Sequence, residues 1–259
     1  MTEYRFCTVV DEARLRIVTI NRPEVMNALH SEAHHELEGV WDEFAADPEL
    51  WVGIVTGAGE RAFSAGNDLK VQAAGKRGPV PPSGFAGLNR RQGLDKPLIA
   101  AVNGIAMGGG FETALACDII VAAENAVFAL PEPRVGLVAG GGGIHRLARV
   151  IPQKQALGMI LTGRRVSAAE GKALGFVNEV VPQGQALEAA KRWAAQILEC
   201  SPMAVRASKQ MFYRGQDEPT LHQALTTIYP AQQENLESQD YIEGPRAFAE
   251  RRKPNWQNR

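Results

Sequence analysis

Residues 103–118 read NGIAMGGGFETALACD. An apolar run stops at three consecutive glycines, Gly108, Gly109 and Gly110, and a carboxylate, Glu112, follows two residues later. From Phe111 onward the spacing predicts a helix, with Leu115, Ala116 and Ile119 at i+3, i+4 and i+7 from Glu112. Those positions share its face. A helix that buries this face therefore turns a carboxylate inward in its own first turn. There the helix dipole favours the ion and the apolar neighbours oppose it by desolvation. The segment before it, PLIAAVNG at 97–104, reads as a strand. The unit is thus strand, glycine turn and helix, with an acid at the joint.

The same grammar extends in both directions. LRIVTI is a strand ending at Asn21-Arg22-Pro23, and a helix is expected over 31–47, stopped before Pro48. WVGIVTG is apolar without alternation, as a strand buried on both faces would be. IIVAAENAVFAL yields strand-like stretches around Glu124 and Asn125. Helices are expected at 154–161, 168–174, 186–200 and over most of 202–250, with a strand-like FVNEVV at 176–181. The implied class is α/β or mixed, with a helical appendage. Residues 71–96, which include KRGPVPPSGFAG, read as a long loop, either a functional lid or a mobile segment.

Composition narrows the function. The 259 residues suffice for a large core, with 45% hydrophobic and 22% charged residues. A formal net charge of −1 gives no basic field to draw nucleic acid or anionic membrane. No apolar run is long enough to span a bilayer, and MTEYRFCTVVDEARLRIVTI lacks a basic-then-apolar signal pattern, so a cytoplasmic location is expected. Cys7, Cys117 and Cys200 form no CxxC pair, which argues against a disulfide framework or structural zinc. His30, His34 and His35 cluster, but Ser31 stands where a zinc-protease motif needs Glu, so a solvated helix face is expected.

GAGERA at 57–62 fits a dinucleotide-binding turn after a strand, but FSAGND is a poor opening for the helix that such a turn requires. Two other loops carry more. FSAGNDL and NGIAMGGGFE both end strand units, and both place glycine where backbone must approach something closely. Two free N–H groups converging there would make an oxyanion hole, although the same glycines also permit tight turns. A second acid, Glu132, lies between Pro131 and Pro133 after an apolar run. Two acids in apolar settings act as a general acid/base pair if they meet in space. Spacing alone does not show that they meet.

Taken together, NRPEVMNAL, FSAGNDLK, AAVNGIAMGGGFETALACD, FALPEPRVGL, GGGGIHRL, LTGRRVSAAEGKALGFVNEVV and EGPRAFAERRKPNW resemble the crotonase (enoyl-CoA hydratase/isomerase) superfamily. The motifs occur in order over about residues 16–256. The resemblance implies a spiral of ββα turns over 1–195 and a helical segment over 196–259 that packs trimers, often paired as hexamers. It implies an acyl-CoA thioester substrate, no metal or redox cofactor, and an oxyanion hole at the N–H groups of Asn67 and Gly109. Glu112 and Glu132 match the two glutamates of the hydratases, with Glu112 activating water and Glu132 protonating Cα. Arg22, Ala65, Asp68, Leu69, Lys70 and Arg251 match CoA-contacting positions, Arg251 reaching CoA of a neighbouring subunit. FAGL, GGGFE, FALPE, LTGRR and the C-terminal tail are similar to carnitinyl-CoA dehydratases, which leaves that activity or an isomerase as alternatives. Ala139 stands where many relatives have proline, giving four consecutive glycines, Gly140–Gly143, expected to loosen the loop.

Overall fold

The computed structural model describes residues 4–76 and 78–259; the start of the N-terminal segment and Arg77 of the expected loop lie outside them. The chain opens with β1 (Cys7–Glu12) and β2 (Leu15–Ile20), an antiparallel pair. Next come α1 (Ser31–Ala46), β3 (Val52–Gly57), β4 (Ala62–Ser64) and the short α2 (Leu69–Ala73). A second turn follows with β5 (Leu98–Val102), β6 (Ile105–Met107) and α3 (Gly109–Ala116). A third holds β7 (Ile119–Ala123), β8 (Val127–Ala129) and α4 (Gly143–Val150). Then come α5 (Gln153–Thr162), β9 (Val166–Ser167), α6 (Ala168–Leu174), β10 (Glu179–Val181) and α7 (Ala186–Leu198). The chain ends in α8 (Pro202–Gln216), α9 (Leu221–Thr226), α10 (Pro230–Leu236) and α11 (Gln239–Ala249).

Each of the three central turns sends its first strand to one sheet and its second to another. The larger sheet has the order β1-β2-β3-β5-β7-β10, and the smaller has β4-β6-β8-β9. Strands β3, β5 and β7 pair in parallel, and so do β4, β6 and β8, so equivalent strands stack turn upon turn. This is the spiral of ββα turns that the motifs imply. The apolar strands owe their lack of alternation to burial on both faces. Val55, Ala100 and Ala122 face one core, and Ile54, Ile99 and Val121 face another covered by the alanine stripe of α7, Ala186, Ala189, Ala190 and Ala194. That helix runs through residue 195.

Most expected elements occur where periodicity puts them, and two differ. Helix α3 starts at Gly109 and ends at Ala116, so Ile119 lies in β7 and not on the helix face. Cys117, with φ −82° and ψ 158°, turns the chain extended after two helical turns. The 71–96 segment is not wholly loop: α2 runs into it, because the Asp68 side chain accepts from the Val71 N–H as a cap. A 3-10 turn follows at Phe85–Gly87. The GAGER stretch leads into strand β4, so no phosphate-binding helix follows it.

Candidate active site

Residues around Glu112 and Glu132 are locked together by an aromatic triangle. Phe111, Phe128 and Phe176 have ring centroids 5.1, 5.1 and 5.2 Å apart. Phe111 precedes Glu112 directly, and Phe128 sits on the strand that leads to Glu132. The Gly108 N–H adds a 2.9 Å bond to the Ala129 carbonyl. The start of α3 and the end of β8 are therefore held side by side. Both glutamates line one cleft of about 600 Å³.

Glu112 is 4% exposed. Its Oε1 accepts the Gly143 N–H at 2.9 Å, the first amide of α4, where the dipole favours an anion. Burial nevertheless raises its pKa, and the Gly143 and Gly141 amides and the Arg146 and Arg90 charges oppose that rise. Desolvation thus outweighs the two amides and two positive charges that favour the ion. Gly141 and Gly143 form a cradle around this carboxylate. A Cβ at Gly141 would come within 2.5 Å of Glu112 Oε2, and one at Gly143 within 2.9 Å of its Cγ.

Glu132 occupies a 3-10 turn, Glu132–Val135, immediately after Pro131. Its Oε1 lies 3.0 Å from where a Gly108 Cβ would be, so side-chain-free backbone is needed there too. Its Oε2 is buried and has no hydrogen-bond partner among the described residues. Burial above all, and then the charge of Glu112, push its pKa up to about 7. Two carboxyl groups in one cleft thus feel each other, and one proton shared between them is favoured near neutrality.

The expected anion site lies one helical turn away. Gly66, with φ +88°, lets the loop after β4 approach α3; a Cβ on it would meet Met107 O at 2.6 Å and Gly109 N at 3.0 Å. Neither the Asn67 nor the Gly109 N–H meets a backbone or side-chain acceptor among the described residues, and both residues line the cleft. The neighbouring amides of Asp68 and Gly108 are spoken for, by Leu29 O and Ala129 O.

The matched CoA positions divide. Asp68 lines the cleft, but its carboxylate meets Arg22 at 3.3 Å and caps α2. The Arg22 guanidinium also donates to Ala28 O. Ala65 donates its N–H to Met26 O, and Leu69 and Lys70 are exposed on α2. Arg251 follows α11, exposed and with φ +54°, and is not among the residues lining this cleft.

One histidine, His34, departs from the expected solvated face, whereas His35 is exposed. His34 is 2% exposed, with its ring 4.4 Å from Phe85. Its Nδ1 accepts the Ala86 N–H, while Trp41 Nε1 donates to the Ala86 carbonyl. Two side chains of α1 thereby grip the 3-10 turn and press Phe85 against Gly109. The grip requires neutral imidazole, and burial holds its pKa down at about 4. The helical period carries this, since His34 shares a face with Leu37 and Trp41, the inward face of α1; grouping three neighbouring histidines on one solvated face overlooks it. Asn89 and Arg146 were also missed: Asn89 is buried beside Gly141, and Arg146 donates to the carbonyls of Asn89 and Gly141.

The family model described as enoyl-CoA hydratase/isomerase matches residues 11–259. The chain belongs to the enoyl-CoA hydratase/isomerase family. Membership makes it an enzyme of a hydro-lyase family acting on acyl-CoA thioesters. A carnitinyl-CoA dehydratase of Escherichia coli is 45% identical over 248 residues, 93% of this chain and 94% of that protein. The solved enoyl-CoA hydratase of Mycobacterium tuberculosis superposes with a TM-score of 0.90 at 39% identity, over 98% of this chain and 99% of that one. The carnitinyl-CoA hydratase of Mycobacterium avium does so at 0.79 and 39%, over 99% and 100%. Among the described residues, no helix is long and apolar enough to cross a membrane.

Proposed function

We propose that the chain is an enoyl-CoA hydratase, adding water reversibly across the 2,3 double bond of a trans-2-enoyl-CoA. The observation that carries this reading is the meeting of two carboxyl groups of raised pKa in one cleft with two unpartnered backbone amides. The amides of Asn67 and Gly109 take the thioester oxygen, drawing electrons from Cβ and holding the enolate that forms after attack. Glu112, fixed by Gly143, takes a proton from the attacking water. Glu132, carrying the shared proton, delivers it to Cα. Polarisation comes from backbone dipoles, so neither a metal nor a redox cofactor enters the reaction. CoA contacts are assigned to the outer rim, with Arg22, Ala65, Asp68, Leu69 and Lys70 around the start of α2 and Arg251 from a neighbouring subunit. Self-association as a trimer or hexamer is part of the same reading. Apolar side chains on the C-terminal helices, Leu221, Leu225, Ile242 and Phe248, stand exposed in the single chain and support it.

Loss of the enoyl-thioester absorbance, with products identified by mass, tests the reaction; a shifted double bond without added water would replace it with isomerisation. The similarity to carnitinyl-CoA dehydratases favours a second reading, the same chemistry on a trimethylammonium acyl chain. Selective turnover of that substrate would establish it.

A pH profile gives a further test. Hydration starts with the proton on Glu132, and dehydration starts with it on Glu112. Both directions therefore need the pair singly protonated. We expect kcat/KM to fall in both directions together as pH rises through about 7, where the shared proton is lost. Profiles that stay flat across that range would remove Glu132 as the acid.

A further inference from the structure

The orientation of α3 gives the cleft a direction. Its first residue, Gly109, lies against Gly66, and its fourth, Glu112, lies against Gly141 and Gly143. On the thioester reading, the carbonyl sits at the first of these places and the acyl chain runs past Glu112 toward the second. Asn89 borders Gly141 there, and the next residue, Arg90, is exposed and lines the cleft.

Arg90 is held by its stem and left free at its head. Its N–H donates to Ser83 O at 2.8 Å, and a Cβ on Gly84 would touch its Cβ and Cγ at 3.1 and 3.0 Å. The guanidinium forms no ion pair or hydrogen bond among the described residues. Its neighbour Arg91 behaves differently, pairing with Asp42 at 2.6 Å and donating to Gly87 O and Glu38 O. Arg90 is close enough to Glu112 to favour its ionised form, and Arg146 adds a second positive charge behind Gly141. Apart from the two glutamates, the only carboxylate lining the cleft among the described residues is Asp68, already paired with Arg22. Beyond the glutamate pair the far end is therefore positive and holds five planar donors without an acceptor.

We propose that Arg90 selects enoyl-CoAs whose acyl chain ends in a carboxylate, and that it disfavours chains ending in a quaternary ammonium. The inference rests on the hydratase reading for the direction of the acyl chain. It assigns the substrate class that reading leaves open. A terminal carboxylate accepts two parallel bonds from the guanidinium, whereas a trimethylammonium has no acceptor and meets like charge. Phe85 offers such a cation an aromatic face, but its ring packs against His34 and Gly109.

The test compares enoyl-CoAs of equal backbone length ending in carboxylate, methyl or trimethylammonium, with wild type, Arg90→Gln and Arg90→Glu. Wild type should prefer the carboxylate over the methyl ending by on the order of ten-fold or more in kcat/KM. Arg90→Gln should erase that preference, and Arg90→Glu should move it toward the ammonium. Equal loss on all three substrates would make Arg90 a CoA contact and overturn the proposal, as would unchanged ratios or a wild-type preference for the ammonium. Calorimetric binding of the saturated acyl-CoAs reads the same preference without turnover. If these bind with the expected order but no enoyl-CoA is hydrated, the hydratase reading fails and the charge selection stands.

Discussion

Replacing either glutamate by glutamine should lower hydration by roughly 10²–10⁴-fold in kcat, because each is asked to carry a proton in a step of its own. The two variants should differ in everything else. Glu112→Gln keeps an acceptor for the Gly143 N–H but removes the charge that helps raise Glu132. Glu132→Gln removes a carboxyl whose Oε2 has no partner and whose ionisation burial opposes. A carboxyl with its folded pKa raised contributes stability that is fully present below its unfolded pKa and is lost as pH rises through about 7. Glu132→Gln should therefore flatten that part of the decline in Tm between about pH 4.5 and 7, and leave Tm at neutral pH equal or higher. Catalysis collapsing while the fold holds or gains stability is the signature of a group placed at a cost for function. Near-native turnover by both variants would end the acid/base assignment.

Much of this site was legible because its determinants are local. The glycine run before Glu112 and the prolines around Glu132 mark places where backbone must do something unusual, and the glutamate at each place lines the cleft. The helix after Gly109 and the doubly buried strands followed from spacing. What sequence could not supply was anything decided by contact between distant segments. Spacing puts His34 on the face of Leu37 and Trp41, but only the 3-10 turn lying on α1 shows that its ring is sealed beside Phe85. Gly141 and Gly143 looked like slack, because the carboxylate they enclose comes from a residue some thirty positions earlier. Arg90 and Arg91 are indistinguishable as neighbours in sequence. One is spent on α1 and the other is left facing the cleft, a difference set by the side to which the turn directs each stem.

Gly66→Ala should damage the proposed anion site more than the fold. The position takes φ +88°, so an alanine there costs about 1–3 kcal/mol in backbone strain before any contact is counted. Its Cβ would then stand 2.6 Å from Met107 O and 3.0 Å from Gly109 N, both backbone atoms of the next ββα turn that cannot rotate away. The loop carrying Asn67 must retreat from the start of α3, and the two amides part. Separating or misaiming one oxyanion donor typically costs 10²–10³-fold in rate, so kcat for hydration should drop by roughly that factor. Binding of a saturated acyl-CoA, which draws mainly on contacts outside the carbonyl, should weaken far less. Gly184→Ala supplies the control, since Gly184 also has positive φ, at +81°, but nothing lies within 4 Å of its added Cβ. The two variants should lose comparable stability from backbone strain, and Gly66→Ala alone should lose the rate. Equal, small losses of rate in both would mean that close approach of the two loops is structural and that the thioester oxygen is held elsewhere.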